Sequence, residues 1–306
     1  MQTALRAAIA RFEEAGIDSP TLTARVLLAV VLNRPREWLV AHPDQPIEPA
    51  QQAAFDHLVQ RTLAREPLAY VLGRREFYGL DFTVDPRVLI PRPETEILVD
   101  LALAHLRRSI LSTAQPQSEE HVVDVIDVGT GSGAIAVAIA TCAPTARVIA
   151  TDVSAEALDV ARLNAARHGV AERIQFITAD LLHDVPVRAR VITANLPYVT
   201  TEEIDVLPAE IQAHEPRIAL DGGPDGLSLV RRLLNQLPAH LLPGGAAFFE
   251  IGSAQGVAAL RAAAEALPDA QAVLEKDWAG LDRVLSVFMP EGYPCHHPLS
   301  SRIPLL

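Results

Sequence analysis

From Thr3 to about Leu72, apolar residues recur at three-to-four spacing in LRAAIARF, TARVLLAVVL and FDHLVQRTLA, with prolines between the runs. The pattern predicts about four helices. Ser19 before Pro20 reads as an N-cap with proline at the first helical position, and Trp38, Phe55 and the leucines read as core. A helical domain is expected over 1–75. The character changes in EFYGLDFTVDPRVLIPRPETE, where aromatic and β-branched residues alternate around glycine and proline, so a β-hairpin linker is expected over 76–96. The polar run from Arg107 to His121 reads as a solvated loop.

From Val122 the apolar pattern alternates between strands and helices, which predicts an α/β, doubly wound, mostly parallel sheet. Its strands are HVVDVIDV, RVIATD, RIQFITAD, RVITAN, GAAFFEI, QAVLEKD and DRVLSVFM, and AIAVAIATCA, SAEALDVARLNAARHG and DGLSLVRRLLNQL are helices among them. This second domain is expected over 97–290, with an irregular tail over 291–306. The 306 residues suit two domains, and 49% hydrophobic with 21% charged residues excludes a disordered chain. A net charge of -12 argues against a protein that neutralises many phosphates, so direct nucleic-acid binding is not expected. Two cysteines, Cys142 and Cys295, are too few for a disulfide framework or a zinc site, and His105, His121, His168, His296 and His297 show no metal spacing and read as surface residues. With neither a secretory signal nor an apolar run of about 18 residues, a cytoplasmic protein that does not enter membranes is expected.

Candidate chemistry begins in VIDVGTGSGAIAVAIA, where Gly129, Thr130, Gly131, Ser132 and Gly133 form a turn between a buried strand and a helix. Glycines there let backbone approach a ligand and adopt positive φ. The same letters satisfy G-x-G-x-x-A, so the loop alone fits a dinucleotide as well as a methionine nucleoside. Asp152 ends the next strand, where a carboxylate accepts hydrogen bonds from two ribose hydroxyls. Asp180, after the third strand, is placed for an adenine edge, with Leu181 packing on the ring. Asp127 either approaches an ammonium group of the ligand, holds the glycine loop, or is a buried structural carboxylate; Asp124 reads as solvent-facing.

The fourth strand ends in ITANLPYVT, which resembles the (D/N/S)-P-P-(Y/F/W) motif of methyltransferases acting on planar nitrogen groups. An amide nitrogen is a poor nucleophile because its lone pair is delocalised, so orientation must carry the catalysis. The resemblance implies that Asn195 accepts a hydrogen bond from the target NH2 at the cofactor's edge and that the carbonyl of Leu196 accepts the second. It further implies that Pro197 stiffens the turn and that Tyr198 stacks on the planar group. The motif usually has proline where this chain has Leu196, a replacement that loosens the turn but keeps the carbonyl.

PRPETE from Pro91 to Glu96, FYG from Phe77 to Gly79, EPRIALDGGPDGL and a D-x-x-G-x-D-R-V segment extend the likeness over Leu5 to Phe288. Together they resemble the glutamine-N5 methyltransferases that act on class I peptide chain release factors. The resemblance implies a seven-stranded class I methyltransferase sheet behind a helical substrate-recognition domain, and S-adenosylmethionine as cofactor. It implies the glutamine of a release factor's GGQ motif as target, with Thr95 and Glu96 shaping the cofactor edge and Arg92 orienting Glu94 or facing substrate, each of these equally well bonding within the hairpin instead. The alternatives are a glutamine methyltransferase acting on a ribosomal protein, whose family tends to carry serine-proline after PR, an N6-adenine nucleic-acid methyltransferase, a dinucleotide-dependent oxidoreductase, and a cofactor-binding interaction module.

Overall fold

The computed structural model describes residues 1–112 and 122–293. Contacts divide them into two units, one comprising Met1–Arg74 with Pro208–His214 and the other Arg75–Leu207 with the residues from Glu215 onward. The first unit holds α1 (Gln2–Glu14), α2 (Pro20–Leu32), α3 (Arg36–Ala41), α4 (Pro49–Leu63) and α5 (Leu68–Leu72), one helix more than periodicity suggests because α3 and α5 are short. Phe12, Leu27, Leu28, Phe55 and Val59 bury completely or nearly so among them, and their three-to-four spacing is the reason these segments are helical. Ser19 does precede a helix with proline at its first position. Its backbone is left-handed, however, and its hydroxyl caps nothing.

The second unit opens with β1 (Arg74–Phe77) and β2 (Leu80–Thr83), a tight hairpin that is finished by Thr83; the following residues form a loop and a single 3-10 turn at Pro93–Thr95. Next comes α6 (Glu96–Ser112). Residues 107–112, expected as loop, therefore continue a helix. The buried row Leu98, Ala102, Leu103 and Leu106 carries the helical repeat into them. The remainder of that expected loop, His121 included, lies outside the described residues, as do Cys295, His296, His297 and most of the expected tail.

The sheet is built from β3 (Val122–Val128), β4 (Val148–Asp152), β5 (Ile174–Thr178), β6 (Arg188–Ala194), β7 (Leu241–Glu250), β8 (Gln271–Lys276) and β9 (Asp282–Phe288) in the order β5-β4-β3-β6-β7-β9-β8. All neighbours are parallel except β9, which runs antiparallel to both β7 and β8. The crossovers are α7 (Ala134–Cys142), α8 (Ala155–Arg167) and α11 (Ser228–His240), with short α9 (Thr201–Ile204) before α11; α10 (Ala209–His214), which follows α9 in the chain, belongs to the first unit. The unforeseen α12 (Gly256–Ala266) links β7 to β8. α7 is buried from Ala134 through Ala140, which explains why its sequence is apolar on every face. Strand order reverses at β3, between β4 and β6, and loops at the carboxyl ends of strands on either side of such a reversal form the usual binding crevice of an open parallel sheet.

His105 does not lie on the surface as its lack of a motif suggested: it is 9% exposed and meets the rings of Phe248 and Phe288. His168, half-buried, lies 5.3 Å from the ring of Phe82 and bonds the carbonyl of Asp81. Asn164 of α8 ties three segments together. Its Oδ1 accepts from the backbone of Thr83 at 2.7 Å, while Nδ2 donates to the carbonyls of Thr83 and Ser132 at 3.0 and 2.9 Å. Since a buried polar group left unpaired costs about 1–3 kcal/mol, Asn164→Ala is expected to lower unfolding free energy by about 2–4 kcal/mol in urea titration. A loss below about 1 kcal/mol would show that water replaces these bonds.

Candidate active site

At the carboxyl ends of β3, β4, β5 and β6 lies a cavity of 330 Å³. Gly129, Thr130, Gly131, Ser132, Asp152, Asp180, Leu181, Asn195, Leu196 and Pro197, all singled out from the sequence, line it. Asp127, Gly133 and Tyr198 do not. Thr95, Arg87 and Arg232 contribute to the wall as well.

The glycine loop has φ of +71° at Gly129, +55° at Gly131 and +80° at Gly133. Each glycine has a different reason. A Cβ on Gly131 would meet nothing within 4 Å and would project from the cavity wall, whereas one on Gly133 would press on Ala161 at 3.1 Å, so Gly133 serves helix packing. Backbone amides of Gly129 and Thr130 both donate to the carbonyl of Thr151, and that of Gly131 donates to Asp152 Oδ2 at 2.9 Å. Asp152 Oδ1 accepts from Ser154 at 2.9 Å, which leaves lone pairs on both oxygens for a ligand's hydroxyls. Burial raises the Asp152 pKa, opposed by bonds from the amides of Ser154 and Gly131.

Asp127 was expected as a contact to the ligand, a brace for the loop, or a buried structural carboxylate, and the last two describe what the structure shows. It is fully buried and reaches no part of the cavity. Both its oxygens are engaged below the floor, Oδ2 by the hydroxyl of Thr130 at 2.6 Å and Oδ1 by the hydroxyl of Thr193 at 2.8 Å. Burial pushes its carboxyl up to about 6 against those two hydrogen bonds. Asp124, by contrast, is partly exposed and pairs with Arg190 at 3.7 Å.

On the far wall, Asp180 is exposed and forms an ion pair with Arg232 of α11 at 2.6 Å. Leu181 beside it has φ of +57°, unusual for a side chain of this kind, and its carbonyl accepts from Thr151 Oγ1 at 3.2 Å. Such strain persists only where surroundings enforce it, and here it turns an apolar side chain onto the cavity wall.

The segment after β6 completes the arrangement. Asn195 Nδ2 donates to Thr95 Oγ1 at 3.0 Å, and Leu196, 4% exposed, approaches the loop so closely that a Cβ on Gly129 would lie 3.1 Å from its Cδ2. The hydroxyl of Tyr198 donates to Glu250 Oε1 at 3.1 Å, and its carbonyl accepts from Gln255 Nε2 at 2.8 Å. Gly226 must be glycine, because a Cβ there would lie 2.2 Å from the Tyr198 carbonyl. Burial raises both the Tyr198 hydroxyl and the Glu250 carboxyl, the latter opposed by the hydroxyls of Thr95 and Tyr198 and by Arg283. Arg92 pairs with Glu215 at 2.5 Å, not with Glu94, and Glu96 accepts from the amide of Tyr78 at 2.8 Å. Among the described residues no cluster suited to a metal ion is present, and no helix is long and apolar enough to cross a membrane.

Arg232 and Glu250 escaped the sequence reading. Arg232 carries no local signal; Glu250 does, as a lone charge ending the apolar strand GAAFFEI.

The family described as "Methyltransferase small domain" matches residues 108–223, which include the glycine loop, Asp152 and the segment from Asn195 to Tyr198. "PrmC N-terminal domain" matches residues 3–73. The hMettl16 catalytic domain, solved in complex with an RNA hairpin, superposes with a TM-score of 0.54 at 15% identity over 77% of this chain and 84% of its own, and so shares the fold. Sheet, loop and cavity are those of a class I S-adenosylmethionine-dependent methyltransferase. The release factor glutamine methyltransferase of Bordetella pertussis is 42% identical over 267 residues, 87% of this chain and 93% of that one; its namesake from Moorella thermoacetica is 40% identical over 298 residues, 95% and 99% of the two chains. The chain belongs to the release factor glutamine methyltransferase family.

The buried clamp makes a pH prediction. Because the folded-state pKa of Asp127 is raised above the ordinary carboxylate value, the folded chain holds that proton longer than the unfolded one. Its contribution is therefore fully present below about pH 4 and is lost as pH rises through about 6, a change of about 3 kcal/mol for a shift of about two units. Urea titrations of wild type and Asp127→Asn are expected to show the wild type losing that amount relative to the variant between about pH 4 and 7. A pH-independent difference would mean the carboxyl titrates normally.

Proposed function

We propose that the chain transfers a methyl group from S-adenosylmethionine to the side-chain amide nitrogen of the GGQ glutamine in class I peptide chain release factors, giving N5-methylglutamine. One observation carries the chemistry. The bond from Asn195 Nδ2 to Thr95 uses one N–H and fixes the orientation of that amide, with Oδ1 as its acceptor for a target amide.

The cavity fits the cofactor by its own features: a glycine at Gly131 whose Cβ position is open, a carboxylate at Asp152 with free lone pairs, and an apolar wall at Leu181. Asp152 holds the ribose hydroxyls, Leu181 packs on the adenine, Asp180 faces its edge with Arg232, and Gly129, Thr130, Gly131 and Ser132 receive the methionine end. When bound, S-adenosylmethionine supplies a methyl group on a positively charged sulfur. Asp127 and Gly133 act indirectly, the first by holding Thr130 and Thr193, the second by seating α7 on α8.

Asn195 Oδ1 and the Leu196 carbonyl accept the two N–H groups of the target, and the ring of Tyr198 stacks on its plane. They leave the nitrogen lone pair facing the methyl group, which is orientation catalysis that needs no general base. The proton leaves to water as the new bond forms. Residues 1–75 recognise the release factor, the short hairpin that ends at Thr83 and the loop after it lead into the catalytic part, and the reaction takes place in the cytoplasm. The net charge of -12 favours this protein substrate over the adenine of a nucleic acid.

Asn195→Ala deletes the acceptor and little volume. S-adenosylmethionine affinity by calorimetry is expected to stay within about threefold, while methylation of the GGQ peptide, read by mass spectrometry, falls by about two to four orders of magnitude. Near wild-type methylation by the variant would overturn the amide trap.

A further inference from the structure

The segment D-x-x-G-x-D-R-V, Asp277 to Val284, takes no part in the transfer step, and the structure shows what its fixed letters do. Asp277 Oδ1 accepts from the amides of Ala279 and Leu281 at 2.9 and 3.0 Å, the Asp277 amide donates to the Leu281 carbonyl at 2.8 Å, and Gly280 turns the chain with φ of +78°. Lys276 Nζ donates to Asp282 Oδ1 at 2.8 Å, and Arg283 Nη2 donates to Asp277 Oδ2 at 3.1 Å. These residues close a rigid turn between β8 and β9. The positions between them carry outward side chains: Trp278 is entirely exposed, and Leu281 is exposed as well.

The turn lies at the catalytic edge of the sheet. Glu250, which accepts from the Tyr198 hydroxyl, stands opposite Val284 in the antiparallel register of β7 and β9, and the amide of Ile251 donates to the carbonyl of Arg283 at 2.9 Å. The start of β9 therefore sits beside the carboxyl end of β7. Helix α12 leaves from the same place: a Cβ on Gly256 would strike the Asp282 carboxylate, so the exposed Val257 stands next to the turn. Val153 and Ile218, exposed in the wall of the cavity, and Val206, after α9, also stand on segments that follow the carboxyl ends of strands. Among the described residues of this unit, Leu163 of α8 is the one large exposed apolar side chain away from that edge. Apolar residues scattered singly over a surface are ordinary, but a set gathered on one edge marks a contact surface.

Building on the amide-transfer function above, we propose that the turn at Trp278, with Leu281 and Val257 beside it, is a docking surface for the release factor that carries the target glutamine. To deliver a side chain to Asn195, that protein must lie across the edge on which these residues stand, so the substrate is the occupant their location calls for. Trp278 suits an anchor. It offers a large apolar surface and a ring N–H for a partner's carbonyl, and its backbone is already fixed, so little ordering is needed on binding. The catalytic unit thereby adds a grip of its own to that of residues 1–75.

With intact release factor, Trp278→Ala is expected to raise KM about tenfold or more, and likewise the Kd for the release factor in the presence of S-adenosylhomocysteine, while kcat and the Kd of S-adenosylmethionine stay within about threefold. Val257→Asp, which sets a charge in the patch, is expected to raise KM about fivefold, and Trp278→Phe to raise it less than about threefold. Leu163→Ala is expected to leave KM unchanged. Unchanged KM in Trp278→Ala overturns the proposal, and should that variant fail to fold, unchanged KM in Val257→Asp does so. A loss confined to kcat or cofactor affinity, or an equal rise in Leu163→Ala, also overturns it. If sedimentation shows a wild-type dimer that Trp278→Ala dissociates, the patch is covered by a second copy of the chain and the proposal falls. Absence of methylation by the wild type refutes the underlying amide transfer, whereas methylation by the wild type with Trp278→Ala unimpaired refutes the docking surface alone.

Discussion

The side chain of Asp127 ties the glycine loop after β3 to the end of strand β6. One oxygen takes the hydroxyl of Thr130, in the loop that lines the cofactor cavity; the other takes the hydroxyl of Thr193, two residues before Asn195. The bonded strands β3 and β6 are adjacent, with Asp127 directly opposite Thr193 in the parallel register. A buried carboxylate is costly in water-free surroundings, and its retention here is understandable because a methyl donor and an amide acceptor must be held within contact distance of each other. Leu196 packs over Gly129 from the other side, so the same two segments are fastened both below and beside the cavity.

The rest of the catalytic unit supports that junction from outside. Asn164 binds the carbonyl of Ser132 from α8 and the hairpin from Thr83, so the loop, α8 and β2 share one buried amide. Gln255 donates to the carbonyl of Tyr198, beside which only a glycine fits at position 226, and the hydroxyl of Tyr198 donates to Glu250. Polar side chains, not apolar bulk, therefore set the positions of the working groups, while the flanking cores of the sheet supply stability.

Much of this was legible from the chain alone, for physical reasons that also explain the remainder. The strands could be read because buried parallel strands are continuous apolar runs, as in VVDVIDV, and the glycine loop because backbone beside a ligand leaves few residue choices. Asn195 could be read because it opens the short motif N-L-P-Y at the end of a strand, where residue types are restricted. Helix α6 past Arg107 was missed because charged residues on its open face masked the repeat formed by Leu103 and Leu106. The distant partnerships of Asp180, Asp127 and Tyr198 were not legible. Arg232, Thr193 and Glu250 lie 52, 66 and 52 residues away from them, and only the folded sheet brings them together.

The central claim is geometric: the end of β6 presents an oxygen of Asn195 and the carbonyl of Leu196 to an amide nitrogen, beside a cofactor seated on the glycine loop. A crystal structure with S-adenosylhomocysteine and a peptide bearing the GGQ glutamine measures it directly. The account predicts the adenosine ribose on Asp152 and the glutamine nitrogen within hydrogen-bond distance of both Asn195 Oδ1 and the Leu196 oxygen, on the side facing the sulfur. A glutamine bound through its oxygen to Asn195 Nδ2, or a nucleoside seated away from Gly131 and Asp152, would contradict it.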